Sequence, residues 1–251
     1  MSAFESAWAK IIEEYKAGKF DPVTERDLHL HLACNLREKL QAYGWGNWVH
    51  MDFPVPLQPS RLNEEPFNFG TVVQKGVRKP DIVVINTEEI PPWRIHLIAE
   101  VKYIRPRSFI GGWFWRKLFW AAIEKDVKNY LRWLKESGNL GKISDIARRE
   151  VRWYSEHGRE ELTKPVIHDL KKVSDLMKVY NNAGMGFPGY VCVLDVVYGP
   201  LTDCLKELME RHEREFSDVK LLYFSAYESF DLLNAVDLLL LLAETLAGEA
   251  R

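Results

Sequence analysis

The stretch RIHLIAEVKYI, residues 94–104, is a strongly apolar run that is interrupted by Glu100 and Lys102. A run of this composition is typical of a strand that is buried inside a sheet. A second apolar run, KPDIVVI at 79–85, precedes it, and the loop between the two runs contains consecutive prolines. Because that connection is short, we expect the two strands to pair in antiparallel orientation. A carboxylate and an ammonium in such a strand require an explanation, because burying unpaired charge is costly.

The rest of the chain predicts an α/β protein with one mixed sheet flanked by helices, because serial strands are followed by alternating helices and strands. Thr24 is a candidate N-cap of the second helix, with Asp27 at the capping-box position. A charged segment at about 137–188 is interpreted as a helical insertion in a single domain spanning residues 1–251. We expect helices at 3–17, 24–42, 115–136, 203–216 and 229–247, and further strands at 48–55, 189–198 and 219–227. The prolines of the first of these strands indicate either a sheet edge or a strand end.

Composition restricts the classes of function. With 47% hydrophobic and 28% charged residues, a formal charge of −2 and a pI near 6.4, the chain resembles an ordinary soluble protein, so any basic surface must be local. Its three cysteines lie far apart without a CxxC pair. This spacing argues against disulfides, zinc knuckles and iron–sulfur clusters and favours a reducing compartment. The most apolar run, at 232–248, contains acids and is too short to span a membrane, so we expect a cytoplasmic protein.

Period-two geometry places Glu100 and Lys102 on the same face of their strand. Asp81, which follows a proline, begins the preceding strand, so antiparallel pairing brings it near Glu100. Two carboxylates in a partly buried place repel each other unless a cation lies between them. Mg²⁺ (or Mn²⁺) suits this position, because a hard divalent cation accepts one or two carboxylates together with waters and phosphate oxygens. Lys102 would then lie beside the metal, where it can help to deprotonate a water or counter the charge of a phosphate.

Each of these residues also has an ordinary structural explanation. Glu100 and Lys102 would form a surface ion pair if their strand lay on a solvated face of the sheet, and Asp81 would simply begin a strand after proline. The combination of Pro-Asp, a loop and an apolar strand that ends in Glu-x-Lys is much rarer than either half. The combination therefore favours a metal site over a surface pair.

The Pro-Asp pair ending at Asp81, followed after eighteen residues by Glu100-Val101-Lys102, resembles the motif of the PD-(D/E)XK nuclease superfamily. The resemblance implies that Asp81 and Glu100 bind Mg²⁺ and that the main-chain carbonyl of Val101 joins them. It also implies that Lys102 assists the attacking water. The expected substrate is then the phosphodiester bond of DNA.

The order of predicted elements over 24–136 and 189–227 is similar to the restriction-endonuclease-like fold of that superfamily. Many members also carry a glutamate on the helix before the first strand, and Glu25 is the matching candidate for catalysis and metal binding. Its alternative is a plain helix-N-terminal acid that the helix dipole favours. The chain departs from the exonuclease branch with a QxxxY motif, because it has Asp126 at the glutamine position.

The segment at 101–123 carries no acidic residue but several basic and aromatic ones. Basic side chains neutralise phosphates and aromatic rings stack on bases, so this segment is a candidate nucleic-acid contact. Its aromatic stretch GGWFW could equally contact a protein partner or a second copy of the chain. The residues expected at the nucleic-acid contact are Arg105, Arg107, Trp113, Arg116 and Lys117.

The sequence thus predicts a Mg²⁺-dependent nuclease that hydrolyses DNA. The alternative is a restriction-like fold without catalytic activity that binds nucleic acid or a protein partner. A homodimer would suit an enzyme that cuts both strands of a duplex.

Overall fold

The computed structural model of the chain describes residues 2–63, 77–86, 93–105, 117, 120–121, 127–139, 145, 149, 152–153, 156–157, 159–196 and 216–226. The helices predicted at 203–216 and 229–247 lie outside the described residues, apart from residue 216, and stay predictions. In the part that is described, no helix is both long and apolar enough to cross a membrane.

The two N-terminal helices begin at capping boxes. Helix α1 spans Ala3–Lys16 and helix α2 spans Glu25–Gln41. At the start of α2 the hydroxyl of Thr24 accepts from the N–H of Asp27, and the Asp27 carboxylate accepts from the N–H of Thr24, as the sequence predicts. The buried stripe of α2 contains Leu28, Leu32, Leu36 and Leu40. Capping and stripe together fix the rotation of α2, and this rotation decides where the side chains of its first turns point.

Seven strands are described: β1 Val49–Met51, β2 Val55–Pro56, β3 Val77–Arg78, β4 Ile82–Ile85, β5 Ile95–Ile104, β6 Gly189–Asp195 and β7 Val219–Ser225. Five of them form the central sheet in the order β1-β4-β5-β6-β7, and β2 and β3 form a separate two-stranded sheet. Strand β4 pairs antiparallel with both β1 and β5, which confirms the predicted pairing of the two apolar runs.

Strand β6 runs parallel to β5, which makes the central sheet mixed. The N–H of Ile98 donates to the carbonyl of Pro188, and the N–H of Val196 donates to the carbonyl of Ile104, so the paired residues advance together along both strands. All seven residues of β6 are buried, as expected for a central strand that reads as a continuous apolar run. The coarse prediction of an α/β protein with a mixed sheet is therefore confirmed.

The strand predicted at 48–55 is shorter in the structure. A 3₁₀ turn occupies Gly46–Trp48, and β1 ends at Met51 because Asp52 adopts a φ of 52°, which a continuing strand does not accommodate. Val55 then pairs in the second sheet. The expected edge position is confirmed, because β1 is the outermost strand on its side of the sheet.

The chain divides into two compact units. The first comprises Met1–Tyr103, Pro165–Val193 and Leu208–Leu222, and the second comprises Ile104–Lys164, Leu194–Glu207 and Tyr223–Arg251. Helix α3 (Val127–Glu136) lies in the second unit, within the helix predicted at 115–136. The interpretation of 137–188 as an insertion in a single domain stays a prediction.

Helix α4 spans Arg159–Asn182, and its part from Pro165 onward packs against the sheet of the first unit. Gly189 at the start of β6 permits this packing, because a Cβ atom there would lie 2.4 Å from both Met177 Sδ and Val173 Cγ1. The hydroxyl of Tyr180 further donates to the carbonyl of Pro56 over 3.0 Å. These contacts lay α4 beside the strands that carry the acid–lysine motif.

Candidate active site

The register of β4 and β5 places Asp81 beside Glu100. Ile82 pairs with Ala99, so the residues one step outward, Asp81 and Glu100, are opposite each other. The N–H of Val101 donates to Asp81 Oδ2 over 2.7 Å, which orients that carboxylate toward the motif. Glu100 is only 3% exposed, so the explanation of Glu100 and Lys102 as a solvated surface pair is wrong. The structure thus brings together the two acids that the sequence predicts to be neighbours.

His29 supports this arrangement from the second turn of α2. It is buried, and its Nε2 lies 3.0 Å from the carbonyl oxygen of Val101 and 3.5 Å from Asp81 Oδ2. A carbonyl oxygen only accepts, so Nε2 carries the proton and donates to Val101. The Val101 carbonyl keeps its second lone pair. The main chain of one residue therefore binds Asp81 through its N–H and His29 through its C=O.

Glu100 has a cationic partner on α4. The ammonium of Lys172 lies 2.6 Å from Glu100 Oε1 and also donates to the carbonyl of Lys79 over 2.7 Å. Glu100 Oε1 is buried and accepts no hydrogen bond of good geometry despite this close approach. Burial, and then repulsion from Asp81, raise the pKa of Glu100 to about 9, although Lys172 opposes the rise. The single ammonium of Lys172 therefore does not offset the effects of burial and of Asp81 on the ionised form of Glu100.

Lys102 lies between two carboxylates. Its Nζ is 3.3 Å from Glu25 Oε1 and 3.3 Å from Asp169 Oδ2, and its side chain is 20% exposed. Burial opposes the charged form, but Asp169 and Glu25 outweigh burial and raise the pKa of Lys102. The second oxygen of Glu25 accepts from the N–H of Tyr103 over 3.2 Å. Lys102 is therefore held charged and oriented, with Glu25 as one of its two supports.

The site carries an excess of negative charge. Four carboxylates and two ammonium groups meet there, with a formal charge of −2 when all are ionised: Glu25, Asp81, Glu100 and Asp169 against Lys102 and Lys172. One divalent cation would balance this excess. The exposed Arg26 does not balance this excess, because its guanidinium group pairs with Asp52.

The oxygen atoms of the cluster suit Mg²⁺ or Mn²⁺ as a metal that needs only a few ligands from the protein. Among the described residues, no group of three or more His, Cys, Asp or Glu side chains is arranged to hold a metal ion. Mg²⁺ usually takes only one or two carboxylates and keeps waters or substrate phosphates for its other positions. Asp81, Glu100 and the Val101 carbonyl match that smaller requirement. Glu25 accepts from Lys102 through Oε1 and from the N–H of Tyr103 through Oε2, and its role as a metal ligand stays a prediction.

Three residues of this cluster are not predicted by the sequence reasoning. His29 is two positions before His31 on a helix, so the two side chains are expected to diverge and not to share a metal, and Asp169 and Lys172 lie in a segment interpreted as an insertion. Two signals point to them in hindsight. His29 is one helical turn after Glu25, and Asp169 and Lys172 are three apart on an amphipathic helix, so each pair shares a helix face.

The residues expected to contact nucleic acid are only partly described. Arg105 follows the last residue of β5 and is exposed, and Lys117 is exposed in a helical conformation. Arg107, Trp113 and Arg116 lie outside the described residues. The role of all five stays a prediction.

Comparison with known proteins gave no match. No family model, no curated protein and no solved structure is significantly similar to the chain. The function of the chain is therefore inferred from the chemistry of the residues around Asp81 and Glu100.

Proposed function

We propose that the chain is a divalent-metal-dependent nuclease with a restriction-endonuclease-like fold that hydrolyses phosphodiester bonds of DNA. One observation carries the proposal: Asp81, Glu100 and Lys102 meet around the Val101 main chain in a partly buried cluster whose formal charge is −2 when all of its groups are ionised. Such a cluster favours a divalent cation, and a divalent cation beside a fixed ammonium suits a phosphate substrate.

Asp81, Glu100 and the carbonyl of Val101 would hold the cation. When bound, it would supply Lewis acidity to a phosphate oxygen and lower the pKa of a water molecule. Lys102 stays protonated between Glu25 and Asp169, so its role is to orient the attacking water and counter the charge that develops on the phosphate. In this proposal Glu25 and Asp169 are positioning residues that act through Lys102.

The experiment is a cleavage assay with purified protein, DNA and either Mg²⁺ or Mn²⁺. The variants Asp81→Asn and Lys102→Ala are expected to lose cleavage while they keep the wild-type circular dichroism spectrum. Asp175→Asn and Lys164→Ala are matched controls, because both residues are exposed on α4 and neither contacts the cluster. Cleavage that persists in both site variants would reject the assignment, and it would also expose a contaminating nuclease.

A second candidate function is a module that binds nucleic acid or a protein partner without catalysis. The observation that favours it is the internal pairing of the cluster, since Lys172 contacts Glu100 and Lys102 contacts both Glu25 and Asp169. Titration calorimetry separates the two functions. Heat of Mn²⁺ binding that disappears in Asp81→Asn supports the nuclease, and absence of any such heat in the wild-type chain supports the binding module.

A further inference from the structure

Lys172 contacts both segments that carry the motif acids, the strand of Glu100 and the main chain just before Asp81. Its ammonium lies 2.6 Å from Glu100 Oε1, on β5, and 2.7 Å from the carbonyl oxygen of Lys79, two residues before Asp81. The side chain is 18% exposed, while that of Glu100 is 4% exposed, so the contact is close to the surface but inside the cluster. In the part of the chain that the structure describes, Lys172 is the one cationic side chain that pairs with Glu100.

A cation that already pairs with Glu100 opposes the binding of a second one. A divalent metal coordinated by Glu100 needs an oxygen lone pair that faces it, and an ammonium 2.6 Å from Oε1 leaves no room for a metal on its own side of that oxygen. Repulsion between Lys172 and a metal at this oxygen is strong, because the site is partly buried and poorly screened. Lys172 therefore has to move away from Oε1 when this oxygen accepts a metal.

The Lys79 carbonyl gives the displaced ammonium a second partner. Lysine presents three donors on a flexible stem, so Lys172 can release Glu100 and keep its bond to the main chain. Lys102 differs from Lys172 in its partners. It pairs with Glu25 and Asp169, and neither of these is one of the two motif carboxylates, Asp81 and Glu100, that would hold the metal. The two lysines thus have different positions relative to the carboxylates that would take the metal.

We propose that Lys172 is the internal counter-cation of Glu100 and that it competes with the divalent metal for this carboxylate. The inference rests on the proposed function. Lys172 would hold Glu100 in place without metal and would set the metal affinity by its displacement, so it is a positioning residue and not a ligand. Removing its charge should tighten metal binding by about tenfold, which corresponds to about 1.4 kcal/mol.

The test is calorimetric titration of Mn²⁺ into the full chain and its Lys172→Met variant, with Lys171→Met as the matched control. Lys171 is the exposed neighbour on the same helix, so its variant removes an equal charge without touching Glu100. We expect tighter Mn²⁺ binding in Lys172→Met and unchanged binding in Lys171→Met. A metal-free melting curve gives a second readout: Lys172→Met should lose more stability than the control and regain it with Mn²⁺.

The outcomes separate this inference from the proposed function. If the wild-type chain binds Mn²⁺ and Lys172→Met binds it equally or more weakly, the inference fails and the nuclease proposal stands. Binding by Lys172→Met alone would support the inference, because the ammonium would then block the site. If neither chain binds Mn²⁺, the proposed function fails and this inference fails with it.

A second variant keeps the test valid if Lys172→Met does not fold. Lys172→Gln retains a hydrogen-bond donor for Glu100 and the Lys79 carbonyl but carries no charge. Tighter Mn²⁺ binding is expected in this variant too. Unchanged or weaker binding in a folded Lys172→Gln chain would overturn the competition.

Discussion

The main-chain N–H of Val101 donates a hydrogen bond to Oδ2 of Asp81 over 2.7 Å. This bond joins the start of β4 to the acid–lysine motif of β5 and fixes the side chain of Asp81 against a neighbouring carboxylate, Glu100, that repels it. A buried amide needs an acceptor, and the acceptor here is a residue with a proposed chemical role. Asp81 therefore has a structural effect that can be separated from its proposed metal binding.

Two substitutions of Asp81 make this separation. Asp81→Asn keeps an oxygen that accepts from Val101 and removes the charge that repels Glu100, so we expect the metal-free variant to be at least as stable as wild type. Asp81→Ala leaves the Val101 amide without its acceptor and should reduce the free energy of unfolding by about 1–3 kcal/mol. Denaturant unfolding without metal measures both. Equal losses in the two variants would contradict the structural role of the bond.

His29 is expected to stabilise the site through the Val101 carbonyl. His29→Leu keeps a side chain of helical propensity but leaves that buried carbonyl without its 3.0 Å partner, so the free energy of unfolding should fall by about 1–3 kcal/mol. The matched control is His168→Leu, because His168 is exposed on α4. We expect the control to stay within about 0.5 kcal/mol of wild type. A loss of similar size in both variants would contradict the assignment.

The sequence predicts the motif strands well because their signals are local. A run such as 94–104 can be placed from its apolar content, and period two then fixes which residues share a face. Antiparallel pairing follows from the short connection, and with it the meeting of Asp81 and Glu100. Thr24 and Asp27 likewise fix the start of α2 by hydrogen bonds within four residues. Each of these features depends on neighbours that are close along the chain.

The partners from α4 cannot be predicted in the same way. Asp169 is 67 positions after Lys102 in the sequence, and the contact between them depends on how α4 packs against the sheet. A helix with charges on one face is usually a solvated helix, and only the ion pairs of Asp169 with Lys102 and of Lys172 with Glu100 show that this face meets the motif. Helix periodicity indicates which residues lie together on α4, but it does not indicate what they contact.

We expect His50 to make the folded chain less stable in acid than at neutral pH. Burial, and then the charge of Arg37, lower the pKa of His50 in the folded chain below its ordinary value. Below about pH 6.5 the unfolded chain therefore binds the proton more readily than the folded chain, and stability falls as the pH falls. Above that pH both states are neutral, and the contribution of His50 no longer changes.

The variant His50→Phe tests this expectation. Its ring can retain the contact with Phe53, whose ring centroid lies 5.4 Å away, but it cannot take up a proton. We expect the free energy of unfolding to decrease less between about pH 7 and pH 5 in the variant than in wild type. Urea unfolding at several pH values measures the difference. A parallel pH dependence of the two chains would show that His50 does not contribute.

Asp52 has a backbone conformation that is costly for a side chain. Its φ of 52° lies in the left-handed region, and it follows β1 directly, where its N–H donates to the carbonyl of Asp81 over 3.2 Å. Glycine adopts this region without a Cβ penalty, whereas alanine carries the full penalty. Asp52→Gly and Asp52→Ala both remove the ion pair with Arg26, so that loss cancels when the two are compared. We expect the free energy of unfolding of the glycine variant, measured with denaturant, to be about 1 kcal/mol higher than that of the alanine variant. Equal stability, or a more stable alanine variant, would mean that the residue at this position is not held in the left-handed region in solution.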